Sequence, residues 1–140
     1  HQKEWEKLSG LDLASQTEGK SRRAVQNFPQ GTVIVEKGPH TRIWTSGQEE
    51  GYQLDVGGPY QATGGMGDTL AGMIAGFAGQ FPQVSLYERV VVATYLHSAI
   101  AEDLSKEAYV VLPTTISQEI PKWMKKWSDQ DQVASTENRK

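Results

Sequence analysis

Residues 62–72 read Ala-Thr-Gly-Gly-Met-Gly-Asp-Thr-Leu-Ala-Gly, a glycine-rich loop running into a helix around which the chain is organised. Gly64, Gly65 and Gly67 leave the backbone bare, so its N–H groups can approach an anion closely. Leu70, Met73, Ile74 and Phe77 then recur on one side of a helix predicted over 66–79. A helix starting there aims its unpaired N–H groups, and the positive end of its dipole, at the same spot. Asp68 stands at that spot, where its charge repels a phosphate unless it acts on a group beside it. A carboxylate next to an anion hole, with a hydroxyl between them, is the arrangement that phosphoryl transfer needs. The carboxylate takes the hydroxyl proton, and the loop stabilises charge on the moving phosphoryl group. The same residues also read as an ordinary helix start whose aspartate complements the dipole, and spacing alone leaves both readings open.

Composition narrows the setting. At 140 residues the chain is one domain or part of one. A net charge of −3 leaves no electrostatic footprint for nucleic acid. The absence of cysteine excludes disulfides, thiolate metal ligands and a thiol nucleophile, and fits a reducing, cytoplasmic setting. No apolar run is long enough to span a membrane, and no apolar leader follows the first residues. The chain opens on His1 rather than Met, which predicts a piece of a longer protein.

The flanking elements follow from periodicity. Trp5 and Leu8 give residues 1–9 a small apolar helical face, with His1 and Glu4 at its solvated start. Ala24, Val25 and Phe28 do the same for 18–28, with Arg22 and Arg23 facing water. Between them, residues 14–21 match a relaxed phosphate-loop pattern ending in Gly19, Lys20 and Ser21, but no buried strand precedes it, so it is set aside. Thr32, Val33, Ile34 and Val35 form a β-branched run, which predicts a strand buried on both faces. Lys37 and Thr41 follow it directly, where α/β folds place ligand-binding groups, although this stretch alone favours a plain strand-to-turn connection with a surface lysine. Residues 42–46 and 51–56 alternate around a glycine-containing turn and predict a hairpin. Ser85 and Glu88 make a capping box for a helix over 85–104, whose apolar face carries His97, read as a core histidine without a catalytic role. Thr115 and Gln118 make another box, and Pro121 restarts or kinks that helix. Gly72, Gly76 and Gly79 form a small-residue stripe suited to close packing. Residues 128–140, nearly devoid of apolar side chains, predict a disordered polar tail.

Together these stretches resemble the carbohydrate-kinase-like domain of the ADP/ATP-dependent NAD(P)H-hydrate dehydratases. His1-Gln-Lys-Glu4 resembles the family's His-x-x-Glu, and residues 33–41 resemble its strand followed by Lys-Gly-x-x-Thr. Residues 62–72 resemble its Ala-Thr-Gly-Gly-Thr-Gly-Asp-Val-Leu-Ala-Gly, with Met66 in place of Thr. Residues 95–99 and 116–121 resemble its last two helices, with Glu102 where the family often has Gly before Asp103. The resemblance implies the C-terminal half of a ribokinase-like three-layer α/β/α domain over residues 1–127.

It implies a reaction as well. A nucleotide, ADP or ATP, phosphorylates the ring hydroxyl of hydrated NADH or NADPH, and phosphate then leaves to restore the double bond. On this resemblance Asp68 is the base and also meets the substrate, and Gly65, Met66 and Gly67 supply the anion hole. Lys37, Gly38, Pro39, His40, Thr41 and Gly67 contact the nucleotide, and His1 touches the hydrated dinucleotide. Mg²⁺ and a homo-oligomer are implied too, with the missing N-terminal half of the domain as a partner. A ribokinase-like kinase of a vitamin precursor or sugar shares the same helix start, and so does a non-catalytic nucleotide-binding fragment. With a single strong strand, the helices over 66–79 and 85–104 have little sheet to cover, so the isolated chain is expected to be inactive and to fold fully only with its partner half or in an oligomer.

Overall fold

Val33, Ile34 and Val35 alternate between two helical layers, and that alternation builds the fold. The computed structural model describes residues 1–137. They form α1 (Gln2–Ser9), α2 (Glu18–Val25), β1 (Val33–Glu36), β2 (Arg42–Thr45), β3 (Tyr52–Gln53), α3 (Met66–Gly79), α4 (Leu86–Ser105) and α5 (Pro113–Glu137). The sheet is an antiparallel meander in the order β1-β2-β3, with Ile34 opposite Trp44 and Ile43 opposite Tyr52. Ile34 and Trp44 face α1 and α2, where they pack with Trp5, Ala24, Val25 and Phe28. Val33, Val35 and Ile43 face the other way, against Val90, Val91 and Tyr87 of α4 and Ile74 of α3. Side chains two residues apart share a face of a strand, so one short run serves both layers.

Both faces of β1 are covered, as the β-branched run predicts. The strand nevertheless lies at the sheet edge, so all four residues are half-buried rather than fully buried. The hairpin stands where alternation places it. Helix α2 stops at Val25, and the chain continues to Phe28 in tighter i to i+3 turns, with Asn27 and Phe28 donating to Ala24 and Val25. A carboxylate ties the first layer together. Glu36 accepts from the Trp44 indole at 2.9 Å and from Ser21 Oγ at 3.3 Å, and Ser21 in turn accepts from the Trp5 indole at 3.0 Å.

Helix α4 begins at its Ser85–Glu88 capping box. It seats on the sheet and also forms a second core with α3 and α5, from Met66, Met73, Leu96, Ile100, Val111 and Ile116. Three strands therefore suffice to place α4, while α3 rests mainly on α4 and reaches the sheet-side cluster through Ile74, and α5 closes on α3 and α4. Helix α5 starts at Pro113, two residues before the predicted Thr115 box, because proline suits a first helical position. It runs through Pro121 without ending and continues to Glu137, where composition predicts disorder. Trp123 and Trp127 meet edge to face at 6.2 Å, and Lys125 pairs with Asp129 at 2.6 Å one turn on, both of which support the helix beyond residue 127. Residues 138–140 of the expected tail lie outside the described residues.

The glycine stripe of α3 does not pack as expected. A Cβ at Gly72, Gly76 or Gly79 would meet nothing within 4 Å. Gly76→Ala should therefore raise stability by about 0.5–1 kcal/mol, the usual gain for removing an exposed mid-helix glycine. Urea denaturation of the two proteins checks it; a loss of stability would mean that this face is covered.

Candidate active site

Gly65 sets the geometry. It caps α3 in the left-handed conformation, at φ 86°, and a Cβ there would stand 3.3 Å from Pro113 Cγ, so both backbone and space call for glycine. With no side chain to cap the helix, the first-turn amides stay open. Among the described residues, no acceptor meets the N–H groups of Gly65, Gly67 and Asp68. Met66 differs: its N–H donates to the Thr63 carbonyl at 3.3 Å, and its side chain is buried at 6% exposure in the α3–α4–α5 core. Of the three amides expected in an anion hole, Gly65 and Gly67 are thus open, Met66 is turned inward, and the amide of Asp68 joins them. The Asp68 carboxylate is exposed and has no hydrogen bond or ion pair among the described residues.

Lys37 links the loop to the rest of the site. It is half-buried at the end of β1, with Nζ 3.0 Å from where a Cβ on Gly67 would stand. Bare backbone at Gly67 is what lets the ammonium lie over the first turn of α3. The same charge reaches two other elements. Glu4 of α1 is held below the usual carboxylate range, first by the hydrogen bond and charge of the His1 amino group and further by Lys37. His97 of α4 also feels it, as described below.

The other expected contacts are less converged. Gly38, Pro39 and His40 are exposed at the tip of the β1–β2 turn, and Thr41 closes that turn by donating to the Gly38 carbonyl at 3.3 Å. The His1 ring is exposed and caps its own helix, accepting from the Lys3 amide at 3.4 Å. Glu4 is the residue of α1 whose carboxyl feels the Lys37 charge.

Sequence reasoning missed the layer beneath the loop. His97 is 3% exposed, and its Nδ1 lies 3.3 Å from the Gln61 side-chain nitrogen, which also donates to Ser98 Oγ at 3.1 Å. Helical spacing foretells the burial of His97 but not what it faces, and Gln61 sits in an irregular Gly/Pro-rich segment that carries no periodic signal. Gly57 makes room for Gln61, since a Cβ there would come 2.9 Å from its amide oxygen. Glu102 anchors the same segment by accepting from the Gly57 N–H at 3.1 Å, which gives a role to that departure from the family pattern.

Burial pushes the His97 pKa down to about 4, with the Lys37 charge acting in the same direction and the Met66 backbone opposing. The native state therefore favours the neutral ring, while the unfolded chain takes up a proton below its ordinary 6.5. Stability from this residue is complete above about pH 6.5 and is lost as pH falls toward 4, by roughly 3 kcal/mol in all. Urea midpoints measured across that interval should fall in the wild type and fall less in His97→Gln; equal slopes would assign the acid limb to other groups.

Among the described residues no three His, Asp or Glu side chains gather as metal ligands. Mg²⁺ is held through one or two carboxylates together with substrate phosphates.

The sequence model of the NAD(P)H-hydrate dehydratases, of carbohydrate-kinase type, matches residues 1–122. The chain belongs to that family. It is 66% identical over 134 residues to the ADP-dependent (S)-NAD(P)H-hydrate dehydratase of Streptococcus pneumoniae, covering 96% of this chain and 46% of the relative. It is 39% identical to the enzyme of the same name from Listeria monocytogenes over 96% of this chain and 45% of that one. A solved structure of a hypothetical protein from Streptococcus mutans superposes with a TM-score of 0.85 at 54% identity, over 90% of this chain and 45% of that one. A ribokinase-like superfamily protein from Enterococcus faecalis superposes with a TM-score of 0.82 at 47% identity, over 91% and 43%. The chain thus spans under half the length of the relatives it matches, and its fold is ribokinase-like α/β. No described helix is long and apolar enough to cross a membrane.

Proposed function

We propose that this chain supplies the phosphoryl-transfer face of an ADP-dependent NAD(P)H-hydrate dehydratase. One observation carries the proposal: the free Asp68 carboxylate, the open amides of Gly65 and Gly67, and the Lys37 ammonium stand around one helix start. Asp68 accepts the proton of the ring hydroxyl while that oxygen attacks the terminal phosphorus of ADP. The bond from that phosphorus to the bridging oxygen breaks, and AMP leaves. The amides and Lys37 balance the charge on the phosphoryl oxygens as they move. The phosphate ester then loses its C–O bond and the ring a proton, so the products are AMP, phosphate and NADH or NADPH. The ADP donor follows the names of the relatives, in place of the wider choice between ADP and ATP.

The nucleotide lies against the 37–41 turn and Gly67 on this reading, and the dinucleotide enters from the His1 side of α1. Residues beyond this chain complete the substrate pocket, and homo-oligomerisation and a cytoplasmic location rest on the family resemblance. The test is product analysis with hydrated NADH and ADP. Free phosphate with recovered NADH absorbance supports dehydration. A stable phosphomonoester identifies a small-molecule kinase, and nucleotide binding without turnover identifies a binding module.

A further inference from the structure

The Gly65 amide is the least supported group of the anion hole. The Gly67 amide belongs to the first turn of α3, where helical backbone holds it. The Gly65 amide precedes that helix, in the peptide unit between two glycines, and no side chain caps the helix there. A Cβ at Gly64 would meet nothing within 4 Å, so no packing steadies that residue either. On the helix side the chain is fixed: Met66 is 6% exposed in the core, and its N–H donates to the Thr63 carbonyl at 3.3 Å. What holds the other end decides whether the Gly65 amide has one direction or several.

Gln61 is the fixed point on that side. It ends the tight turn Pro59–Gln61, in which the Gly58 and Pro59 carbonyls accept from the Gln61 and Ala62 N–H groups at 3.2 and 3.1 Å. Its side-chain nitrogen carries two N–H groups and meets two acceptors on α4, His97 Nδ1 at 3.3 Å and Ser98 Oγ at 3.1 Å. His97 and Ser98 are 3% and 5% exposed, so water has little access to take the place of either bond. The same segment has a second tie to α4, one helical turn beyond Ser98, where Glu102 accepts from the Gly57 N–H at 3.1 Å. Only Ala62, Thr63 and Gly64 separate Gln61 from Gly65, so the place of the turn sets the path of the glycine loop.

We propose that Gln61 is a positioning residue: by donating to both His97 and Ser98 it straps the turn before the glycine loop to α4, and so fixes the direction of the Gly65 amide in the anion hole. The inference rests on the proposed dehydratase reading and adds to it a residue that acts through the loop rather than on either substrate.

The experiment uses the protein at its full natural length, well below the thermal midpoint of each variant. Gln61→Met keeps the length of the side chain and removes both donors. Ser98→Ala removes one acceptor. Gln61→Met should lower kcat roughly tenfold to a hundredfold, the scale of a misaimed anion-hole donor, with KM for ADP and for hydrated NADH little changed. Ser98→Ala should lower kcat about threefold to tenfold, and it alone carries the kinetic test if Gln61→Met does not fold. The double variant should be no slower than Gln61→Met, because both changes remove the same bond. Amide hydrogen exchange should quicken over residues 57–65 in the slowed variants and stay unchanged across α4. Unchanged kcat, additive losses in the double variant, unchanged exchange over 57–65, or equal quickening throughout α4 would each overturn the proposal. If the wild type does not dehydrate the hydrate at all, the functional reading fails, while the exchange measurement still tests the strap.

Discussion

Asp68→Asn should lower dehydration by about a hundredfold to ten-thousandfold while nucleotide affinity stays close to wild type. The reason is the separation of roles at the start of α3. The amides proposed to bind an anion belong to the backbone of Gly65 and Gly67, where they are open, and the substitution leaves them where they are. The carboxylate is exposed and makes no internal contact, so its loss removes a proton acceptor and little else. Asparagine matches its shape and cannot take the hydroxyl proton. Steady-state kinetics with hydrated NADH, set beside ADP binding by calorimetry, separates the two effects. A nucleotide affinity that collapses with the rate would make Asp68 part of the binding site. A rate that survives would leave Asp68 as a helix-dipole partner.

Trp44→Ala should have the largest effect on stability, about 3–5 kcal/mol, against a total of about 5–15 kcal/mol for a typical domain. The ring is 2% exposed and packs with Trp5, Ala24, Val25 and Ile34 between the sheet and the first helical layer. Gly51 crosses directly over it: a Cβ there would collide with the ring and lie 2.9 Å from the Ile43 carbonyl, so the neighbours cannot easily collapse into the space. Its indole also donates to Glu36 at 2.9 Å, and Glu36 then keeps Ser21 at 3.3 Å and Arg42 at 4.0 Å. Trp44→Phe retains part of the packing but loses some ring volume together with the donor, the latter worth about 1.5–3 kcal/mol to a charged acceptor. Chemical denaturation of both variants tests the division. Equal losses would place the stabilisation in the hydrogen bond rather than in the packed ring.

Local chemistry made several elements of this molecule legible in the chain itself. Bare glycines before an apolar period mark the start of α3, and a Ser–Glu pair marks the start of α4, because both signals act within a few residues. Asp68 and Lys37 stand out for the same reason, one in a first turn and the other at a strand end. Three features were set by neighbours distant in the chain. Whether β1 is central or at an edge depends on which strands pair with it. Whether the glycine stripe packs depends on what lies across it, and among the described residues nothing stands within 4 Å of a Cβ at Gly72, Gly76 or Gly79. What His97 faces depends on a turn 36 residues earlier in the chain, which brings Gln61 against it. Periodicity determined that His97 is buried. Only the packing of α4 against the turn that precedes the glycine loop decided that the buried ring meets Gln61, because a helical repeat specifies a direction and not the partner found there.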